Sequence, residues 1–367
     1  MIKNTDKSIN RTKIARYIYK KSETSKPEIA AELGLSMPTV LQGIKELSAM
    51  GLVSEVGKNK STGGRKSAAL SITPMYRIAA GIDITANHIS YVVIDLCGHL
   101  LLKKRIKAEY SNSNEYYEFV AQNLELALDE AKADRSVLLG VGISLPGIID
   151  KENEMLLRSH ILGQNNVSLK ILSQMIPYSV EFENDANSAL FAEMRYIEGD
   201  MIYLSLSNSV GGSIYINSSI YGGDNYRSAE FGHIIIERAG KTCYCGKKGC
   251  ADAYCSARVL EKHASSLEDF FTGLQNGDEK IRKVWEDYLD DLAVIISNLR
   301  MTFDCDIMLG GYVGGYLRQY MQELGKRVVN YNMFENDTLY LKNCRYEKEA
   351  SATGAAMHFT ERFFDNI

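Results

Sequence analysis

Three of the chain's seven cysteines fall within eight positions, in the stretch CYCGKKGC at residues 243–250. This cluster constrains the fold strongly, because one tight loop must bring the thiols together. The N-terminus is polar and charged, and no run of about 18 apolar residues occurs, so we expect a cytoplasmic protein without a signal peptide or membrane span. Thiols stay reduced in the cytoplasm, which favours metal binding over a disulfide. Three reduced, unligated thiols are the alternative.

Charge divides the chain into two regions. Residues 1–70 contain 13 Lys or Arg and 6 Asp or Glu, a net charge of +7, so the remaining residues carry −11 of the total of −4. A basic N-terminal head on an acidic body indicates a nucleic-acid-binding module joined to a part with a different partner.

Residues 1–73 show the pattern of a winged helix-turn-helix domain. Apolar spacing predicts a first helix, and a capping box at Ser25–Glu28 predicts the start of a second, which Gly34 ends. Ser36 then caps a third helix, and Gly51 stops it. The exposed face of this third helix presents side chains suited to base edges and phosphates, namely Ser36, Thr39, Gln42 and Lys45.

A basic hairpin follows the three helices. Strands predicted at Leu52–Val56 and Ala68–Ile72 flank the glycine-rich loop GKNKSTGGRKS. In a wing, Arg65 and Lys66 of this loop would contact DNA, with Arg65 entering the minor groove. The alternative is a solvated basic hairpin beside a small three-helix domain that contacts proteins.

The body opens after a hinge at ITPMY, residues 72–76. Alternating apolar residues predict three strands, at Ile78–Ile84, Ile89–Asp95 and Leu100–Lys107, followed by a helix over residues 114–132. A weaker echo of this pattern at residues 201–223 indicates a duplicated α/β unit with a ligand cleft between its halves. Apolar residues at helical spacing over residues 278–302 predict a core helix.

Six motifs occur in the order typical of one family: GIDI at Gly81, PGIID at Pro146, ENDANSA at Glu183, EFGH at Glu230, CYCGKKGC at Cys243 and GAA at Gly354. With the head, the sequence resembles the ROK (repressor, open reading frame, kinase) family, and within it the sugar-responsive regulators of the xylose-repressor and N-acetylglucosamine-repressor type. The resemblance implies an α/β fold in which the winged helix-turn-helix precedes a two-lobed, actin-like body of the ribonuclease H-like, sugar-kinase type. The implied domains are 1–73 for the head, 77–185 with 350–367 for lobe 1, and 186–349 for lobe 2 with the zinc loop and sugar cleft.

The resemblance also implies two sites. A structural zinc ion would be held by His233, Cys243, Cys245 and Cys250, a tetrahedral set without an open position for a catalytic water. A sugar would be bound by Pro146, Gly147, Asn184, Asp185, Glu230, His233 and Asp252. The family usually has glutamate where Asp252 stands, so this carboxylate has a shorter reach. Taken alone, Asp185 is also typical of a turn or helix cap.

The phosphate-binding motifs depart from those of the family's kinases. Asp185 occupies the general-base position, but residues 83–87 read DITAN where the kinases have Asp-x-Gly-Gly-Thr. Residues 207–211 read SNSVG in place of Gly-Thr-Gly-x-Gly, and only Gly310 and Gly311 remain of a late nucleotide motif. Side chains therefore stand where phosphates must approach the backbone, which predicts a degenerate kinase without effective activity.

We expect a sugar-responsive transcriptional regulator that acts as a repressor and binds operator DNA as a homodimer or tetramer. Two alternatives stay open. One is an active sugar kinase with a DNA-binding head, and the other is a DNA-binding regulator controlled by a protein partner instead of a sugar.

Overall fold

The computed structural model describes residues 2–58, 68–346 and 348–367. Its N-terminal part has three helices and a hairpin: α1 (Ile2–Lys21), α2 (Lys26–Leu33), α3 (Met37–Ala49), β1 (Val53–Lys58) and β2 (Ala68–Ile72). Gly34 is left-handed at the end of α2 with φ 62°, as predicted. The capping box forms only in part, since Ser25 Oγ accepts the Glu28 amide while the Glu28 carboxylate accepts the hydroxyl of Thr24. Arg65 and Lys66 lie outside the described residues.

A short 3-10 helix at Pro74–Tyr76, in place of a simple hinge, leads into the first half of the body. Its elements are β3 (Ile78–Ile84), β4 (His88–Asp95), β5 (Leu100–Lys107), α4 (Asn114–Glu130), β6 (Leu138–Leu145), β7 (Ile148–Asp150), β8 (Met155–Ser159), β9 (Gln164–Ser168), α5 (Lys170–Met175) and β10 (Val180–Asn184). The main sheet has the order β10-β6-β3-β4-β5, and β7, β8 and β9 form a small antiparallel sheet beside it.

The second half follows without a break. Its elements are α6 (Asp185–Glu193), β11 (Met201–Leu206), β12 (Val210–Ile216), β13 (Ser219–Ile220), α7 (Asp252–Cys255), α8 (Ala257–Glu261), α9 (Leu267–Gln275), α10 (Glu279–Phe303), β14 (Asp306–Gly310), α11 (Gly311–Leu317), α12 (Met321–Val329), β15 (Leu341–Asn343) and α13 (Ala350–Asp365). The apolar face of α10, including Trp285 and Leu292, is buried in the largest core, as predicted.

The two main sheets share one topology. In the order β5-β4-β3-β6-β10 and the order β13-β12-β11-β14-β15, three antiparallel strands are followed by two parallel ones. The duplicated α/β unit expected from the sequence is therefore present. Among the described residues, no helix is long and apolar enough to cross a membrane.

Helices α6 and α13 pack against each other between the sheets. A Cβ added at Gly354 of α13 would lie 1.6 Å from the Ser188 carbonyl oxygen of α6, so the contact requires glycine. Glycines of the first sheet have the same role, because a Cβ at Gly81 would meet the Ala352 carbonyl oxygen at 1.8 Å. Residues 350–365 thus pack on the first sheet, although they follow the second in sequence. The domain boundaries themselves stay a prediction.

Candidate functional site

A polar cleft of about 1060 Å³ opens beside the carboxyl ends of β6 and β10. It is lined by six of the seven predicted sugar-binding residues, which are Pro146, Gly147, Asn184, Asp185, Glu230 and His233. They come from three separate parts of the sequence, between residues 146 and 233, and only the fold brings them together. Their role as sugar ligands stays a prediction.

The turn between β6 and β7 forms one wall of the cleft. Gly147 has φ 131°, a conformation that other residues rarely adopt, and a Cβ there would lie 2.4 Å from the Arg158 carbonyl oxygen. Asn184 Nδ2 donates to the Gly147 carbonyl oxygen at 2.9 Å. This bond ties the turn to the start of α6.

Asn184 and Asp185 stand at the junction of β10 and α6. Asn184 Oδ1 accepts the amides of Ala186 and Asn187, so Asn184 caps the helix as well as lining the cleft. Burial raises the pKa of Asp185 to about 6, and the nearby Glu230 carboxylate also raises it, against the lowering effect of backbone amides. Asp185 is therefore a carboxylate that is mostly ionised at neutral pH and well placed to accept sugar hydroxyls.

Glu230, His233 and Tyr244 form the opposite wall. His233 Nε2 lies 3.4 Å from Tyr244 Oη and 4.0 Å from a Glu230 carboxylate oxygen. The ring of His160 approaches from the other side, with its centroid 5.8 Å from that of Tyr244. Burial is the main cause that lowers the pKa of both histidines, which favours their neutral forms. The wall thus offers aromatic faces together with hydrogen-bonding groups.

Asp252 does not line the cleft. Its side chain is buried, and Oδ2 accepts the amide of Val210 at 2.7 Å at the start of β12. In this position the carboxylate anchors the loop that precedes β12. A direct contact between Asp252 and a ligand in the cleft, which the sequence led us to expect, is not what this geometry supports.

The predicted metal ligands do converge. The ligand atoms of His233, Cys243, Cys245 and Cys250 all lie within 4.8 Å of one another. His233 Nδ1 is 3.9 Å from Cys243 Sγ, and the sulfurs of Cys245 and Cys250 are 3.7 Å apart. Tetrahedral zinc with bonds of about 2.3 Å to sulfur and about 2.0 Å to nitrogen needs ligand separations close to these. The residues fit a structural zinc ion, which would be bound by His233 Nδ1 and leave Nε2 facing the cleft.

The backbone of the cysteine loop is shaped for this convergence. The Cys243 amide donates to the Lys247 carbonyl oxygen at 2.8 Å, and the Gly246 amide donates to the Cys243 carbonyl oxygen at 3.0 Å. Gly246 and Gly249 have φ of 86° and 84°. At Gly249 a Cβ would also lie 1.9 Å from the Glu237 carbonyl oxygen, so no larger residue fits.

A second, much smaller crevice of about 50 Å³ lies next to the cleft and is lined by residues of the two segments compared above with the kinase phosphate motifs, 83–87 and 207–211. The half-buried Tyr312, which follows Gly310 and Gly311, lies at this crevice. Arg105 Nη2 of β5 donates to Tyr312 Oη at 3.1 Å, and the guanidinium lies 5.3 Å from the ring centroid. Arg105 and Tyr312 thus connect β5 to α11 beside the crevice.

Asp83 lies in this crevice and is almost fully buried. Ser144 Oγ donates to its Oδ1 at 2.7 Å. Burial raises the pKa of Asp83 to about 7, although the Ser144 hydrogen bond acts in the opposite direction. No described cation forms an ion pair with it at hydrogen-bond distance, so the ionised form is disfavoured.

The predicted recognition helix presents the residues named for DNA contact in different ways. Ser36 caps α3 and lies 2.8 Å from the Thr39 hydroxyl, so both hydroxyls are engaged locally. Gln42 is exposed and donates to Glu46, whereas Lys45 is exposed on the same helix. The exposed face therefore presents Lys45 outward, whereas the Gln42 amide is paired with Glu46.

Sequence reasoning missed several residues that line the cleft, including Lys151, Tyr226, Arg227 and Tyr244. For Tyr244 a signal was available. Tyr244 lies between Cys243 and Cys245, and a side chain between two ligands of one ion points away from that ion. Because His233 also lies at the cleft, this direction leads into the cleft. Tyr226 and Arg227 lie in a loop whose path no local pattern indicates.

Comparison with known proteins identifies the family. A 27% identity over 267 residues relates the chain to the xylose repressor of Bacillus spizizenii, over 71% of this chain and 69% of that protein. The N-acetylmannosamine kinase of Escherichia coli is 26% identical over 291 residues, 75% of this chain and 96% of the kinase. The crystal structure of a ROK family transcriptional regulator, a homolog of the E. coli MLC protein, superposes with a TM-score of 0.75 at 19% identity and covers 98% of this chain and 97% of that one. The ROK family pattern matches residues 79–362, and the chain therefore belongs to the ROK family.

Proposed function

We propose that this protein is a sugar-responsive transcriptional regulator, a repressor that binds operator DNA as a dimer and has no effective kinase activity. The observation that carries the proposal is the contrast between the two cavities. The cleft of about 1060 Å³ keeps Asn184, Asp185, Glu230 and His233 together, whereas the nucleotide side is reduced to about 50 Å³. Pockets that bind small molecules are typically about 300–1,000 Å³.

The head supports the DNA-binding part of the proposal. Its helix order, the exposed Gln42 and Lys45 on α3, and the net charge of +7 over residues 1–70 suit the major groove of DNA. Xylose repressors among the relatives are consistent with a regulator of sugar metabolism. Two heads in a dimer would read a palindromic operator.

The zinc ion in this proposal is structural. Bound by His233 and the three cysteines, it would hold His233 Nε2 toward the cleft and fix Tyr244 beside it. The ion supplies rigidity to this wall, since four protein ligands leave no position for a reacting water. The metal would thus be required for effector binding without contacting the effector.

Fluorescence anisotropy tests the proposal directly. The purified protein is titrated onto labelled DNA from upstream of its own gene, at fixed salt because phosphate contacts dominate the raw affinity. D-xylose, D-glucose and N-acetylmannosamine are then added. We expect specific binding that one of these sugars weakens at least tenfold, and by linkage the operator must weaken sugar binding by the same factor. Lys45→Ala should lower affinity for all DNA, and Gln42→Ala should relax sequence preference.

An active sugar kinase is the second candidate, because Asp185 stands in the general-base position with its pKa raised to about 6. A coupled assay for ADP release with the same three sugars separates the two functions. We expect no ADP release above background. Saturable ATP-dependent phosphorylation of a sugar would refute the proposal that the protein has no effective kinase activity. Specific DNA binding that no sugar alters, together with no thermal shift by any sugar, would instead favour control by a protein partner.

A further inference from the structure

One short helix runs from the cleft to the DNA-binding head. Helix α6 begins at Asn184 and Asp185 in the cleft and ends at Glu193. Its nine residues span about 13 Å at a rise of about 1.5 Å per residue. A 3-10 turn at Met194–Tyr196 follows at once and carries Arg195.

Arg195 joins the end of this helix to the head. Its Nη2 donates to the Tyr19 carbonyl oxygen at 2.6 Å and to Ser22 Oγ at 3.0 Å, at the C-terminal end of α1. Nη1 donates to the Cys97 carbonyl oxygen at 2.6 Å, in the turn between β4 and β5. The guanidinium also lies 4.4 Å from the ring centroid of Tyr19. A cation at the carbonyl end of α1 is favourable, and Arg195 makes this contact from the body.

The surroundings of α6 make it move as a unit with its neighbours. The close contact of Gly354 with Ser188 locks α6 to α13. The Glu193 carboxylate accepts the amides of Arg345 and Tyr346 at 2.7 and 3.0 Å, which fixes the end of the helix nearest Arg195. A change in the tilt of α6 at the cleft should therefore also move its C-terminal end, because close-packed elements shift as rigid bodies.

We propose that Arg195 is the positioning residue that passes the state of the cleft to the DNA-binding head. When a ligand reorganises Asn184 and Asp185, α6 shifts, and Arg195 moves the end of α1 relative to the Cys97 turn. The regulatory meaning of this coupling rests on the proposed function, but the coupling itself can be measured in the protein without DNA. α13 adds a second attachment to the head, through the stacked rings of Tyr19 and Phe364 at 4.4 Å, the bond from Thr12 Oγ1 to the Ile367 carbonyl oxygen at 2.9 Å, and the ion pairs of Arg16 with Glu361 and Asp365. Because α13 is packed closely on α6, this attachment carries part of the same movement.

Hydrogen exchange in the absence of DNA tests this role. Exchange of residues 8–21 is followed by mass spectrometry while the cleft is perturbed by D-xylose, D-glucose or N-acetylmannosamine, or by Asp185→Asn as a ligand-independent change. In the wild type, at least one perturbation should change exchange rates in this segment by threefold or more. In Arg195→Met the change should fall to less than half of the wild-type value, since only the α13 attachment remains, while sugar-induced thermal shifts of the body stay the same.

Two further variants make the result specific. Arg77→Met is the matched control, because Arg77 lies at the same junction, donates to the Tyr76 carbonyl oxygen at 2.7 Å and stacks on Tyr76, with no described contact to α6. It should keep the wild-type response. Arg195→Lys retains the charge but cannot bond all three acceptors, so it should give an intermediate response and serves if Arg195→Met folds poorly.

The outcomes separate this inference from the proposed function. A response of residues 8–21 in Arg195→Met of more than half the wild-type size, or its absence in the wild type under every perturbation, would overturn the role of Arg195. Failure of the wild type to bind operator DNA would refute the proposed function, whereas the hydrogen-exchange result would still test the role of Arg195. If operator binding is present, sugar should weaken it at least tenfold in the wild type and less than twofold in Arg195→Met.

Discussion

Replacing the buried Asp83 by asparagine should stabilise the protein, and more so as the pH rises. The side chain is buried beside Ser144, and burial raises its pKa from an ordinary value of 3.8 to about 7. A raised pKa means that the native state holds the proton more tightly than the unfolded chain does. The favourable contribution is therefore complete below pH 4 and is lost as the pH rises through 7. Asparagine resembles the protonated acid and still offers an oxygen to Ser144.

The size of the effect follows from the shift in pKa. Each unit corresponds to about 1.4 kcal/mol, so the shift from 3.8 to about 7 costs the ionised wild type roughly 4 kcal/mol. The difference in unfolding free energy between Asp83→Asn and wild type should change little below pH 4, by about 2 kcal/mol at pH 5 and by about 4 kcal/mol at pH 8. At an unfolding entropy of about 2.1 cal/mol/K per residue, 4 kcal/mol corresponds to a rise in Tm of about 5 °C for this chain of 367 residues.

Thermal melting followed by circular dichroism from pH 4 to pH 8 measures this difference. Asp185→Asn provides the graded comparison, because its pKa is raised only to about 6 and its gain should be smaller and complete at lower pH. A pH-independent difference between Asp83→Asn and wild type, or a less stable variant at pH 8, would refute the argument that Asp83 is a poorly compensated buried carboxylate.

Three further results are expected. Removing metal with a chelator should lower the Tm of the wild type, and Cys250→Ser should abolish both bound zinc, measured by atomic emission, and the effect of the chelator. Gly354→Ala places a Cβ 1.6 Å from the Ser188 carbonyl oxygen and should cost about 3 kcal/mol or more in thermal melting, whereas Gly277→Ala, which meets no atom within 4 Å, should cost about 1 kcal/mol. Sugar affinity measured by calorimetry should fall about tenfold from pH 7 to pH 5 as Asp185 becomes protonated, and a flat profile in the wild type would exclude its carboxylate as a ligand group.

Local patterns were enough to place most secondary structure. The strand at Ile78–Ile84 has the predicted bounds, and the third helix of the head begins at its predicted cap, Ser36. The helix predicted over residues 114–132 ends at Glu130, because Lys132 adopts φ 52°. Nothing in the sequence marks that stop, since the left-handed position is not occupied by glycine.

Local spacing alone could predict only the part of the candidate site that closes on itself, whereas the six residues that line the cleft were predicted through the family resemblance. The cysteine loop closes on itself within eight positions, so spacing alone identified its three thiols. The position of Asp252 depends on how deeply α7 is buried against β12, which no local signal specifies. The loss of glycines from the phosphate loops was readable, but the meeting of Arg105 with Tyr312, 207 residues away, was not.

The contact between Arg105 and Tyr312 bears on how a regulator can arise from a kinase-like body. Here β5 and α11 are joined beside the crevice, by a hydrogen bond of 3.1 Å and the packing of the Arg105 guanidinium on the Tyr312 ring. Relative motion is then left to the sugar side, where Gly147 is tied to Asn184 at the start of α6. On the proposed function, the contact between Arg105 and Tyr312 would leave the sugar as the input to the helix that reaches the head.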